Sequence, residues 1–300
     1  MSETVVSLHG VFPPIPTPFD VNGNVAHQAL VENLERWNQF ELSGYVVLGS
    51  NGEAVYLDQD EKVGVWEAAR RVIPRDRVMI AGTGCESTRG TVEVTRLAAQ
   101  AGVDAALVVT PHYYGSHMVP DSLLQHYQVV ADASPIPIIV YNVPKFTGVN
   151  VDAGTLARLS QHANIIGVKD TSGNIAQLAD TVRQASPDFQ VLAGSASFLF
   201  AGLAVGAVGG VLALANIAPA QSTDIYRLFA EGRWDDAAKL QRRMLPVNAA
   251  VTADYGIAGL KAALDMLGYH GGRVRSPLLD LDQNQRHELR TILAEGGILP

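Results

Sequence analysis

The amino-acid sequence predicts an α/β fold, in which eight parallel strands close into a (β/α)8 barrel with a helical C-terminal extension. Eight short segments between residues 11 and 214 are almost entirely apolar, as expected of parallel strands that are covered on both faces. Segments with helical spacing of apolar residues separate them. A doubly wound open sheet is the competing arrangement, but an unbroken series of such units favours the closed TIM-barrel architecture.

The predicted strands follow one another at regular intervals. They are VFPPIP (11–16), GYVVLG (44–49), RVMIAG (77–82), AALVVT (105–110), PIIVYN (137–142), NIIGVK (164–169), FQVLAG (189–194) and GGVLAL (209–214). Between them, apolar residues three or four positions apart predict amphipathic helices, for example Leu30, Leu34 and Trp37 after the first strand.

From about Pro219 the pattern becomes wholly helical. Residues 234–247, 255–267 and 283–294 predict helices appended to the barrel. We therefore predict a single structural domain, in which residues 1–218 hold the strands and most barrel helices. Residues 219–300 hold the last barrel helix and the C-terminal extension.

One uncharged segment is long enough to suggest a membrane span. Residues 190–223 contain no charged side chain, and residues 198–218 alone could cross a bilayer. Four glycines interrupt residues 198–218, however, and no cluster of lysine or arginine flanks the segment. We predict a short buried helix followed by a buried strand.

The composition excludes several classes of protein. Apolar residues make up 47% of the chain and charged residues only 17%, which excludes disorder and indicates a large buried surface. A net charge of −8 argues against nucleic acid or an anionic membrane as a partner. The single cysteine, Cys85, cannot form an internal disulfide, and the first ten residues do not resemble a targeting segment. We expect a cytoplasmic protein.

The candidate nucleophile is Lys169, at the end of the sixth predicted strand. In such barrels the active site lies at the carboxyl ends of the strands. A lysine amine attacks a carbonyl only when it is unprotonated, and apolar surroundings favour that neutral form. A buried stem whose ammonium reaches solvent explains the position equally well. The other four lysines lie on helical patterns (Lys62, Lys239 and Lys261) or follow a proline in a loop (Lys145).

Other strand ends carry polar residues that fit a site around Lys169. Ser50 and Asn51 lie between two glycines, where side chains and backbone amides suit a carboxylate, although an ordinary polar turn has the same residues. Tyr141 suits proton transfer or anchoring of the barrel rim, and Tyr113 is equally ambiguous. GTGCES, from Gly82, lacks the third glycine of a dinucleotide fingerprint, and the eight histidines show no metal-binding spacing. We expect neither a cofactor nor a metal.

Five motifs together resemble one family. They are G-S-N-G-E after the second strand, V-T-P-H-Y-Y after the fourth, Y-N-V-P after the fifth, G-V-K-D after the sixth and L-A-G-S after the seventh. In this order they resemble the pyruvate-dependent class I (Schiff-base) aldolases, the family of dihydrodipicolinate synthase and N-acetylneuraminate lyase. The resemblance extends from about Gly10 to Leu279.

The resemblance implies a role for each motif. Lys169 would form the Schiff base, Tyr141 would transfer protons, and Ser50 and Asn51 would bind the substrate carboxylate. Tyr113 would complete the relay from a neighbouring subunit of a homotetramer built as a pair of dimers. The same resemblance places Thr171, Gly194 and Ser195 among the substrate-binding residues.

Within the family, five stretches most resemble 4-hydroxy-2-oxoglutarate aldolase. They are residues 81–88, 134–144, 189–199, 206–216 and 248–272. This implies cleavage of 4-hydroxy-2-oxoglutarate to pyruvate and glyoxylate. Dihydrodipicolinate synthases typically carry an arginine two residues after the proline of Y-N-V-P, where this chain has Phe146. Three alternatives remain. Two are enzymes: an aldolase for a 2-oxo-3-deoxy sugar acid, and dihydrodipicolinate synthase, which joins pyruvate to aspartate semialdehyde. The third is a protein that binds 2-oxo acids as a sensor without turnover.

Overall fold

The first strand closes the barrel. In the computed structural model, which describes residues 6–299, Pro13 divides this strand into β1 (Gly10–Phe12) and β2 (Pro14–Ile15). The β1 half pairs with the last strand, β9 (Gly209–Val211), and the β2 half pairs with β3 (Gly44–Val47). Residues 1–5 and Pro300 lie outside the described residues. The prediction that the first ten residues are not a targeting segment therefore falls partly outside them.

All the strands run parallel, and from β2 to β9 each strand pairs with the next one in chain order. The remaining strands are β4 (Val78–Gly82), β5 (Ala105–Val109), β6 (Ile138–Asn142), β7 (Ile165–Asp170) and β8 (Gln190–Ala193). Each predicted strand is confirmed, and the (β/α)8 barrel with it. The largest difference is at the eighth predicted strand, which ends at Val211 because Ala213–Asn216 form a 3₁₀ turn.

Helices alternate with these strands and then continue beyond them. The helices of the barrel region are α1 (His27–Trp37), α2 (Gln59–Val72), α3 (Thr88–Gln100), α4 (Pro120–Ala133), α5 (Pro144–Thr147), α6 (Ala153–Leu159), α7 (Ile175–Gln184), α8 (Leu199–Ala204) and α9 (Pro219–Ala230). The extension comprises α10 (Trp234–Ala249), a π-helical segment (Ala250–Asp254), α11 (Gly256–Met266) and α12 (Gln283–Glu295).

The uncharged segment forms α8 and β9, as predicted. Across residues 6–299, no helix combines the length and the hydropathy that a membrane crossing needs.

Helix starts follow local sequence signals. Asp58 accepts a hydrogen bond from the backbone of Glu61, whose side chain accepts one from the backbone of Asp58, and this capping box starts α2. Asp282 and Gln285 form the same arrangement at α12. Such a cap contributes about 1 kcal/mol by satisfying amides that have no partner within the helix.

The apolar core has an inner and an outer layer. Side chains that point into the barrel, such as Phe12, Ile80 and Ile139, form one buried cluster. The opposite strand faces pack against the helices. There, Trp37 of α1 and Trp66 of α2 share a cluster with Leu260 and Leu289 of the extension. The C-terminal helices therefore contribute to the same core as the first barrel helices, whereas the boundary at residues 218 and 219 stays a prediction.

Candidate active site

A cavity of 320 Å³ opens at the carboxyl ends of the strands. Most of the residues predicted for the site line it, namely Ser50, Asn51, Tyr141, Lys169, Thr171, Gly194 and Ser195. Tyr113 is the exception. Because parallel strands end on one side of the sheet, residues separated by more than 140 positions meet in one pocket. Their placement agrees with the sequence analysis, while their chemical roles stay predictions.

Lys169 and Tyr141 are direct neighbours at the base of the cavity. They are register partners on β6 and β7, and the Lys169 Nζ lies 3.9 Å from the centroid of the Tyr141 ring. Both residues are buried, with exposed fractions of 3% for Lys169 and 5% for Tyr141. A carbonyl carbon placed above the amine would therefore lie beside a phenol that is able to exchange protons.

The next pair along the same two strands fixes this register. The Asn142 Nδ2 donates to the Asp170 Oδ2 at 3.0 Å and to the Asn150 Oδ1 at 2.9 Å. The other carboxylate oxygen of Asp170 accepts from the backbone of Ser172 at 2.7 Å. Asp170 is therefore occupied as an acceptor and holds the strands that present Lys169. The sequence analysis did not identify Asn142 or Asp170, although both directly follow the candidate catalytic residues.

The turn that carries Ser50 and Asn51 is a strained 3₁₀ turn, Ser50–Gly52. It lies between Leu48 (φ 60°) and Glu53 (φ 56°), two non-glycine residues in the left-handed region. Such residues cost about 1–3 kcal/mol each and persist only where neighbouring contacts enforce them. Gly82 permits the close approach, because a Cβ there would lie 2.0 Å from the carbonyl oxygen of Leu48. The Ser50 Oγ is 3.4 Å from the Tyr141 hydroxyl.

A buried ion pair lies behind this turn. The Lys261 Nζ is 2.5 Å from the Glu53 Oε1, and both residues are 1% exposed. The Glu53 Oε2 accepts from the backbone N–H of Arg275 at 2.7 Å. Burial lowers the pKa of Lys261, and the charge of Glu53 opposes that shift. The helical pattern gave no sign that Lys261 is buried, because its partner lies 208 residues earlier in the chain.

The extension supplies the far wall of the cavity. Thr252 and Ile257, from the π-helical segment and α11, line it opposite the strands. The sequence analysis placed Ile257 in the helix predicted over 255–267 and Thr252 between two predicted helices, and it gave neither residue a part in the site. The only available signal was the resemblance of residues 248–272 to the 4-hydroxy-2-oxoglutarate aldolase.

The open end of the cavity has hydroxyl groups and one further lysine. The Ser195 Oγ donates to the Ser197 Oγ at 3.2 Å, and the Asn248 Nδ2 donates to the same Ser197 oxygen at 2.8 Å. Lys145 also lines the cavity, beside Phe146, which is 60% exposed. Of the residues described, two lysines and no arginine contribute to the wall.

Tyr113 lies outside the cavity of its own chain. Its side chain is 78% exposed and packs edge to face on Tyr114, with ring centroids 5.0 Å apart. The Glu86 carboxylate accepts from the backbone amides of His112 and Tyr113 at 3.0 and 2.9 Å, which fixes the loop. A contribution of Tyr113 to a neighbouring subunit stays a prediction.

No cluster of three or more histidine, cysteine, aspartate or glutamate side chains is placed to hold a metal ion within residues 6–299. The site is instead built from the Lys169 amine, the Tyr141 phenol and the turn that carries Ser50 and Asn51. Independence from cofactors stays a prediction.

Comparison with known proteins identifies relatives over nearly the whole chain. Residues 7–296 match the model described as the dihydrodipicolinate synthetase family. The chain is 36% identical over 287 residues to the 4-hydroxy-tetrahydrodipicolinate synthase of Methanothrix thermoacetophila, which covers 95% of this chain and 96% of that protein.

Solved structures show the same fold. The chloride-inhibited dihydrodipicolinate synthase from Acinetobacter baumannii, complexed with pyruvate, has a TM-score of 0.93 and 30% identity, covering 98% of this chain and 100% of that one. A structure described as the first monomeric dihydrodipicolinate synthase variant has a TM-score of 0.92 and 29% identity, covering 97% of this chain and 98% of that one.

Proposed function

This chain belongs to the dihydrodipicolinate synthetase family of carbon–carbon lyases, and we propose that it acts on a 2-oxo acid through a Schiff base on Lys169. One observation carries the proposal, the buried amine of Lys169 at 3.9 Å from the Tyr141 ring at the base of the cavity. The relative solved with pyruvate supports the same class of ligand.

The proposed reaction starts with the carboxylate of the substrate on Ser50, Asn51 and the amides of their turn. The Lys169 Nζ attacks the 2-oxo carbon, and water leaves as the imine forms. Protons pass through Tyr141 and through Tyr113 of a neighbouring subunit. The protonated imine is an electron sink for the bond that breaks next.

Our first candidate substrate is 4-hydroxy-2-oxoglutarate. Tyr141, assisted by Thr171 or water, removes the proton from the 4-hydroxyl group. The C3–C4 electrons move into the imine, glyoxylate leaves, and protonation at C3 followed by hydrolysis releases pyruvate. Phe146 lies where an arginine fork would suit aspartate semialdehyde, which weighs against that substrate. For the second carboxylate of hydroxyoxoglutarate, we propose Lys145 as the partner.

A second candidate is the condensation of pyruvate with aspartate semialdehyde. The names of the relatives favour this reaction over the first, since both the curated relative and the pyruvate complex are dihydrodipicolinate synthases by name. Lys145 would then be the cation available for the second carboxylate. A third candidate is the cleavage of a longer 2-oxo-3-deoxy sugar acid, which would use the same chemistry at Lys169. Such acids are therefore included among the substrates to be tested.

Borohydride trapping tests the shared step. Incubation with pyruvate and borohydride should add the mass of a reduced pyruvate adduct to the peptide that contains Lys169. Lys169→Ala should gain no mass, and Lys145→Ala, which removes the other lysine of the cavity, should retain the adduct. Wild-type protein without an adduct would contradict the mechanism.

A substrate panel separates the candidates. Release of pyruvate from 4-hydroxy-2-oxoglutarate should exceed release from 2-oxo-3-deoxy acids, and a coupled reductase assay measures condensation with aspartate semialdehyde. Phe146→Arg should raise condensation relative to cleavage, because it supplies a bidentate partner for a carboxylate. If the wild type condenses the semialdehyde faster than it cleaves hydroxyoxoglutarate, the second candidate is the function.

The proposed assembly is a homotetramer in the cytoplasm. Its support is the exposed Tyr113 and Tyr114 pair, which would be buried if it entered a neighbouring subunit. One similar structure is described as a monomeric variant, so the assembly of this chain needs its own measurement. Sedimentation velocity measures the assembly, and a monomer with full activity would contradict the proposed role of Tyr113.

A further inference from the structure

We propose that the buried Glu53–Lys261 ion pair is a positioning pair, which holds the Ser50–Gly52 turn in the conformation that receives the carboxylate of the substrate. The inference rests on the proposed function and extends it to two residues outside the cavity. Neither Glu53 nor Lys261 lines the cavity wall.

The turn needs an external constraint. Leu48 and Glu53 adopt left-handed backbone conformations on its two sides, and neither is a glycine. Within the turn region, the Thr17 Oγ1 donates to the carbonyl oxygen of Gly52 at 2.7 Å. The Glu53 side chain supplies a further constraint, because it anchors the end of the turn to the C-terminal part of the chain.

Both oxygens of the Glu53 carboxylate have a neighbour of opposite polarity. One Glu53 oxygen faces the Lys261 Nζ at 2.5 Å and the other accepts from the backbone of Arg275 at 2.7 Å. The same amine donates to the carbonyl oxygen of Arg273 at 2.7 Å and lies 4.3 Å from the centroid of the Phe19 ring. With these partners in place, neither side chain is free to exchange protons with a substrate, so the pair acts through the position of the backbone.

The opposite charges of the pair also decide how it would act. Each charge is neutralised at contact distance, so the pair contributes little net field at the carboxylate site. The turn therefore binds the carboxylate through Ser50, Asn51 and correctly aimed amides. A shifted turn should weaken recognition of the carboxylate specifically, while the Lys169 amine keeps its place on β7.

The test compares two carbonyl compounds that differ only at the carboxylate. Borohydride trapping is measured against concentration with pyruvate and with its neutral amide, pyruvamide, for wild type, E53Q and the double variant E53Q/K261M. The double variant leaves no unpaired buried charge, so it carries the test where a single change prevents folding. D104N is the matched control, since Asp104 pairs with the buried Arg70 at 3.1 Å and lies away from the cavity.

We expect the half-saturating concentration of pyruvate to rise about 10- to 100-fold in E53Q and in the double variant, as for a small misplacement of a binding group. That of pyruvamide should change by less than about twofold, because the amine and the carbonyl pocket are intact. D104N should keep the wild-type preference for pyruvate, whatever its thermal stability.

Two results overturn the inference alone. One is that both Glu53 variants keep the wild-type preference for pyruvate over pyruvamide. The other is that the half-saturating concentrations of pyruvate and pyruvamide rise equally, which would indicate a general structural role. If the wild type itself forms no adduct with pyruvate, the proposed function fails and the inference fails with it. The two failures are therefore distinguishable in one set of measurements.

Discussion

His126 should make the free energy of unfolding decrease as the pH falls below about 6.5. This histidine lies on α4 and is only 6% exposed. Its Nδ1 is 2.9 Å from the Thr88 hydroxyl, and its buried Nε2 has no hydrogen-bond partner among the described residues. Burial lowers the pKa of His126 to about 4, against a weaker opposing effect of Glu86.

The sign and the size follow from the two pKa values. The unfolded chain binds a proton near pH 6.5 and the folded chain only near pH 4, so between these values the unfolded state holds more protons. The folded state is therefore favoured above pH 6.5 and loses that advantage as the pH falls towards 4. At pH 5 the loss is about 2 kcal/mol, and it approaches about 3 kcal/mol below pH 4.

Urea unfolding at pH 7.5 and pH 5.0 measures this loss. His126→Gln removes the titrating ring and keeps a polar side chain, so wild type should lose about 2 kcal/mol more than the variant over this interval. His287→Gln is the matched control, because His287 is exposed and should leave the pH dependence as it is in wild type. Equal losses in wild type and His126→Gln would refute the reasoning.

Two further changes act on the site itself. Tyr141→Phe should lower kcat about 10²- to 10⁴-fold with little change in KM, since the ring beside Lys169 remains while the proton donor is lost. Steady-state kinetics measures both constants. A wild-type kcat in this variant would exclude Tyr141 as the proton carrier. Gly194→Ala should lower the free energy of unfolding by about 1–3 kcal/mol in urea titrations, because its Cβ would lie 2.0 Å from the Thr171 Oγ1. Gly115→Ala, whose Cβ would lie an ordinary 3.7 Å from its neighbour, should cost less, and equal losses would contradict the steric argument.

The barrel could be predicted because its strands carry a strong local signal. Each is apolar on both faces, and the rule that parallel strands end on one side brought Tyr141 and Lys169 together before any distance was known. The structure then added what a linear pattern lacks, the register that makes them direct partners.

What could not be predicted depends on contacts distant in sequence. Lys261 lies on a helix that also has an ordinary apolar stripe, so nothing local distinguishes a buried amine from a solvated one. Thr252 of the π-helical segment and Ile257 of α11 line the cavity, although most of its other lining residues lie on barrel strands and loops far away in the sequence. The same limit applies to Tyr113, whose expected partner is another copy of the chain.

The anchoring of the Ser50–Gly52 turn has a consequence for biosynthesis. Glu53 is made early, whereas the backbone N–H of Arg275, which donates to its second oxygen, follows 222 residues later. A nascent chain whose barrel strands have all left the ribosome already carries Lys169, yet the Ser50–Gly52 turn still lacks its anchor and the cavity still lacks its opposite wall. Under the proposed function, a chain that stops before Lys261 would have its amine but not the anchor of its carboxylate-binding turn, so its reactivity towards pyruvate should be weak until the extension is complete.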